Sequence, residues 1–80
     1  MMGFLERHRG PFRLCLTRPN QKKPGFFTTE WLKGESDHAD VESEARALLD
    51  DPRDTITDIG VWSVRENQFV GTIKRERGAA

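Results

Sequence analysis

The stretch from Thr55 to Glu76 constrains the fold more than any other, because strand-forming residues are densest there and the turn between them is clearly marked. Ile56, Ile59, Val61, Trp62 and Val64 lead into Arg65-Glu66-Asn67-Gln68, and Phe69, Val70, Thr72 and Ile73 lead away, so the spacing predicts two antiparallel strands. Asn67 suits the turn because its short polar side chain tolerates a left-handed backbone. Glu66 and Gln68 are polar enough for a solvated tip. The rest of the chain then reads as material that covers one face of this ribbon.

Upstream, Pro11 opens a strand in which Phe12, Leu14 and Leu16 alternate with Arg13, Cys15 and Thr17, a period of two with one apolar side. The stretch from Arg18 to Gly25 has two prolines, a glycine and no hydrophobe, and predicts a wide hairpin loop. A second strand spans Phe26 to Lys33. Both of its sides carry large apolar residues, and Phe27 and Trp31 are favoured as the inward pair, with Trp31 and Trp62 both expected in the core. Gly34 to Asp37 breaks the strand and offers Ser36 or Asp37 as a helix cap. The helix is predicted from Asp37 or His38 to Leu49 or Asp50, with Val41, Ala45, Leu48 and Leu49 forming its apolar stripe. Pro52 stops it. Asp50 and Asp51 oppose the helix dipole, a cost that Arg46 and Arg53 offset in part or that reflects retention for binding.

The resulting order is ββαββ, an α+β fold with one helix packed across one face of a four-stranded antiparallel sheet. Either hairpin can sit at the centre. Residues 1–80 form a single domain, in which Met1 to Gly10 lacks a period and is expected to fray, apart from Phe4 and Leu5, which can dock on the sheet.

Little in the chain supports catalysis. Cys15, His8 and His38 are the only thiol and imidazoles, and they match no zinc spacing, no paired nucleophile and base, and no phosphate loop. Cys15 reads as a half-buried strand residue and the histidines as surface residues, so no enzyme activity, metal or cofactor is expected. No apolar run approaches a membrane span, the first ten residues carry charge where a signal peptide needs an apolar core, and a single cysteine suits a reducing compartment. The cytoplasm is the expected location, and a monomer or weak dimer the expected state.

Charge carries more information. The chain is 32% charged yet has zero net charge, against about 25% charged residues in an average domain. The balance hides a segregation: residues 1–23 carry +5, residues 24–58 carry −7 and residues 59–80 carry +2. Arg13, Arg18, Lys22 and Lys23 fall on the outer side and tip of the first hairpin, where cations can neutralise phosphates. Glu35, Asp37, Asp40, Glu44, Asp50 and Asp51 outline a carboxylate rim along the helix, a surface suited to Lys- and Arg-rich proteins. Each is equally a solvated face kept for solubility.

The ββαββ order over residues 12–75, the acidic amphipathic helix His38 to Leu49, the hairpin Val61 to Ile73 and the lack of catalytic groups together resemble the small phage-encoded anti-CRISPR proteins that inhibit type I surveillance complexes. That resemblance implies a stoichiometric inhibitor that binds a subunit, itself built to hold nucleic acid, and blocks access of target DNA by mimicking the phosphate backbone. Arg- and Lys-rich grooves of the partner would then meet Asp40, Glu44, Asp50 and their neighbours. Two other classes fit the residues: a small nucleic-acid-binding module using the basic hairpin, and an antitoxin-like or scaffold domain that pairs through an exposed strand edge, either Phe26 to Lys33 or Phe69 to Lys74.

Overall fold

The computed structural model describes residues 7–75, and within them the elements are β1 (Phe12–Pro19), β2 (Phe27–Trp31), α1 (Val41–Asp50), β3 (Asp58–Ser63) and β4 (Gln68–Lys74). The order is ββαββ and the class α+β, as the apolar spacing predicts. All four strands pair antiparallel in one open sheet of order β2-β1-β3-β4, so the two hairpins join through their first strands and β2 and β4 form the edges.

Residues that face each other across an antiparallel pair point to the same side of the sheet. Leu14 opposite Val61 and Leu16 opposite Ile59 place the apolar side of β1 against the apolar side of β3, and Ile59 in turn faces Ile73 of β4. On this side α1 lays Val41, Ala45 and Leu49 into the core, and Phe12, Leu14, Leu16, Ile56, Ile59, Val61 and Ile73 complete it, with Leu32, Leu48 and Val70 at its margin. Ser63 is buried among them. Its hydroxyl is satisfied by donating to the Arg9 carbonyl at 3.4 Å and accepting from the Glu66 amide at 3.1 Å.

Several local expectations change in the folded chain. The helix begins at Val41, where its apolar stripe begins, and about a turn later than the cap at Ser36 or Asp37 predicts, because Asp40 and Val41 first donate their amides to the Asp37 carbonyl, each at 3.0 Å. Neither Ser36 nor Asp37 caps it: Asp40 takes that position without a side-chain cap bond, and the Ser36 hydroxyl donates instead to Glu44. Ser36 is drawn away by its backbone, which forms a two-way bridge with Phe12 at 2.8 Å in each direction. The tight turn is as expected, with Asn67 left-handed at φ 57°. Of the first ten residues, His8 bonds Glu66 at 2.6 Å and Arg9 meets Ser63 as above, while Phe4 and Leu5 lie outside the described residues.

The inward pair proposed for β2 is the main correction. Trp31 faces Cys15 and Phe27 faces Pro19, and these β1 residues are on the side opposite Leu14 and Leu16. Phe27 and Trp31 therefore point away from the helix, with 62% and 41% of their surface exposed. Alternation within β2 says which residues share a side; only pairing with β1 decides which side meets the core, and Leu32 packs there instead. Trp62 is not a core residue either, since it faces Arg13 on the same outer side.

Candidate functional site

One face of the sheet is covered by α1, and no described element covers the other. The register assembles Arg13, Cys15, Thr17, Phe27, Thr29, Trp31, Asp58, Gly60, Trp62, Phe69, Thr72 and Lys74 on this open face. Phe69 reaches it through a β-bulge. Counting in twos from Ile73, Phe69 would point to the core, but the register shifts between Val61 and Trp62, leaves Val70 as the extra residue and sets Phe69 opposite Trp62.

Three rings then meet. Trp31 stacks on Phe69 with centroids 5.7 Å apart and planes within 12°, and Trp62 stands edge-on to both, at 6.0 Å from Trp31 and 5.0 Å from Phe69. Stacked and edge-to-face geometries are the favourable ones for rings with a negative face and a positive rim. The Arg13 guanidinium lies 4.8 Å from the Trp31 centroid, a cation–π contact that fixes a positive charge beside the cluster. Gly60 makes room for it: a Cβ there would lie 3.1 Å from a Phe69 ring carbon. The cluster is only half covered, as Phe69 leaves 52% of its surface to solvent.

Beside the rings the face sinks into two adjoining depressions. Cys15, Thr17, Thr29, Asp58, Gly60, Phe69 and Thr72 line one of about 260 Å³. The other, of about 400 Å³, is lined by Thr17, Phe27, Thr57, Asp58 and Lys74. Small side chains form the floor because the middle of the face carries Cys, Thr and Gly where its ends carry aromatics. Asp58 faces Lys74 across the β3–β4 pair and accepts from the Thr57 hydroxyl at 2.7 Å.

The basic residues singled out in the sequence separate. Arg13 joins the open face, and Lys22 and Lys23 are exposed in the β1–β2 loop, where both amides donate to Asn20 Oδ1 at 2.9 and 3.2 Å. Arg18 does not join them. It points to the helix side and clamps Asp54 with two bonds of 2.8 and 3.1 Å, and it reaches Glu30 at 2.7 Å. The Arg18 hydrogen bond holds the Asp54 carboxyl well below its ordinary range, at about 2, and the same pairing raises Arg18. Its side of β1 is set by alternation with Leu16, so the long loop expected from Arg18 onward starts two residues later.

The acidic residues lie on the other side of the molecule. Glu35, Asp37, Asp40, Glu44 and Asp50 are exposed, Glu44 accepts from Ser36, and Asp51 accepts the Arg53 amide at 2.9 Å with the Arg53 guanidinium at 3.5 Å. A helix rises about 1.5 Å per residue, so Asp40 and Asp50 stand about 15 Å apart and the rim divides into two groups at the ends of α1. Among the described residues no three or more His, Cys, Asp and Glu side chains gather as a metal site, and no helix is long and apolar enough to cross a membrane.

The aromatic cluster was hidden from sequence reading because its rings come from β2, β3 and β4, and each strand also carries apolar residues on its other side. The one usable signal was surplus: both sides of Phe26–Lys33 are apolar, more than one buried face requires. Comparison with protein-family models, with curated proteins and with solved structures finds no match.

Proposed function

We propose that this protein is a non-catalytic binding domain whose contact surface is the open face of its sheet. The observation that carries this reading is the half-exposed cluster of Trp31, Trp62 and Phe69, extended by Phe27 and left without a covering element. Aromatic groups packed into a rigid, partly exposed patch with an arginine beside them have the composition of binding hot spots. Recognition needs only this contact area and charge, with no bond made or broken.

A photo-crosslinking amino acid at position 29, in the middle of the open face, tests it against the same group at position 47 on the outer side of α1. Thr29 and Ala47 are both exposed, so neither substitution disturbs the core. Adducts from position 29 in the expressing cells are expected. Adducts from position 47 alone would overturn the reading.

That second outcome would favour the inhibitor reading, in which the acidic side occludes a nucleic-acid-binding subunit of a type I surveillance complex. Its specific support is the exposure of Glu35, Asp37, Asp40, Glu44 and Asp50 on the helix side. Reversing Asp40, Glu44 and Asp50 to Lys abolishes binding to the complex on that reading, and unchanged inhibition by the triple variant would remove it.

A further inference from the structure

We infer that the occupant of the open face is a single strand of nucleic acid, its bases stacked on Phe69 and Phe27 and its phosphates held by Arg13, Lys22, Lys23 and Lys74. The inference rests on the reading of this face as the contact surface and names the partner's chemistry.

Charge separates the two sides of the molecule. Two of the acidic residues between Pro24 and Asp58 lie in strands: Asp58 stands on the open face, and Glu30 is turned to the helix side and bonded to Arg18. Arg13 and Lys74 stand on the open face itself, and the loop bearing Lys22 and Lys23 leads directly into Phe27. Glu42, Glu44 and Asp50 lie on the helix that covers the opposite face, and Glu30 and Asp54 are held by Arg18 on that side, whereas Arg13 and Lys74 flank the aromatic front.

Ring geometry points the same way. Phe27 and Trp31 are four residues apart on β2, which separates them by about 13 Å. The stacking surfaces therefore lie at two ends of a shallow depression floored by the hydroxyls of Thr17, Thr29 and Thr72. Stacking on exposed rings is indifferent to base identity, because every base offers a π-face. Asp58, within the depression, supplies an acceptor matched to exocyclic amino groups and so favours cytosine over thymine or uracil. Duplexes keep their base faces stacked internally and cannot use these rings.

The test titrates the full chain with single-stranded decamers of deoxycytidine, deoxythymidine, cytidine and uridine and with a duplex, following emission of Trp31 and Trp62. Quenching by the single strands is expected, with cytosine strands bound more tightly and a log–log salt slope of about −3, four cations contributing about −0.7 each. Binding of either DNA or RNA supports the inference, and the tighter of the two identifies the natural strand. Phe69→Ala and Phe27→Ala should each weaken binding about 5- to 150-fold. Phe27 has no ring contact in the cluster, so its variant keeps the fold intact and its circular dichroism unchanged. Absence of quenching by any strand at about 10⁻⁴ M, where even non-specific binding registers, would overturn the inference. So would unaltered affinity in both Phe variants, or a duplex bound as tightly as a single strand. Crosslinked adducts from position 29 that resist nuclease would overturn it while leaving the open face as the contact surface, and only adducts confined to position 47 would remove both.

Discussion

Replacing Phe69 with Ala tests whether the open-face cluster is a packed unit. A fully buried aromatic side chain removes about 150–250 Å² from water, and Phe69 is 52% exposed, so about 100 Å² is at stake. At about 25 cal/mol per Å² this corresponds to about 2.5 kcal/mol, an upper value that falls to about 2 once the compactness of unfolded chains is allowed for. Ring contacts with Trp31 and Trp62 add about 0.5–1.5 kcal/mol each beyond area, and no buried cavity is created because the site is open to water. The expected loss is about 3–5 kcal/mol, or about 12–40 °C in Tm for a domain of this size. Urea unfolding followed by Trp emission reads it, with an unchanged dependence on urea as the sign that the unfolded state is unaltered. A double-mutant cycle with Trp31→Ala, which leaves Trp62 as reporter, should give a coupling of about 0.5–1.5 kcal/mol. A loss below about 0.5 kcal/mol, or strictly additive costs, would mean that the rings touch without stabilising each other.

Other positions are tested more simply. Ile59 is fully buried between Leu16 and Ile73, so Ile59→Ala should lose about 2–5 kcal/mol and Ile59→Val about 0.5–1.5, measured by urea unfolding; equal losses would contradict its place in the core. Asp54 has its folded pKa lowered from 3.8 to about 2 by Arg18, so folding favours the carboxylate: the contribution is complete above about pH 4 and is lost as pH falls through about 2. Asp54→Asn should flatten the stability profile across that window, and an unchanged profile would show that the clamp is not held in solution. At the β3–β4 turn, Asn67→Gly should be nearly neutral, whereas Asn67→Val should lose about 1–2 kcal/mol in the same unfolding assay because a branched residue is strained at φ 57°. Equal stability of the two variants would refute a left-handed Asn67.

The ββαββ order was legible in the chain because its signals are local: the alternation of Phe12, Leu14 and Leu16, the helical stripe of Val41, Ala45 and Leu49, and the Asn67 turn each lie within a few neighbouring residues. Charge segregation was legible for the same reason, and it persists in part: Glu42, Glu44 and Asp50 lie on the helix, while Arg13 and Lys74 stand on the open face with Asp58. The make-up of the open face was not. Arg18 carries the same charge as Arg13 five residues away, yet the first is neutralised by Asp54, a residue 36 positions distant, and the second lies over Trp31.

The amino-acid pattern by itself determined the number and kind of elements, the apolar side of β1, the stripe of α1 and the location of the tight turn, since each follows from a period or a backbone preference. Only the tertiary structure decided which side of β2 meets the core, where Trp31 and Trp62 point, and that Phe69 leaves the core side. These depend on pairing register and on one extra residue, Val70, in β4. A one-residue shift turns a side chain from one face of a sheet to the other, and that shift is set by a partner strand distant in sequence.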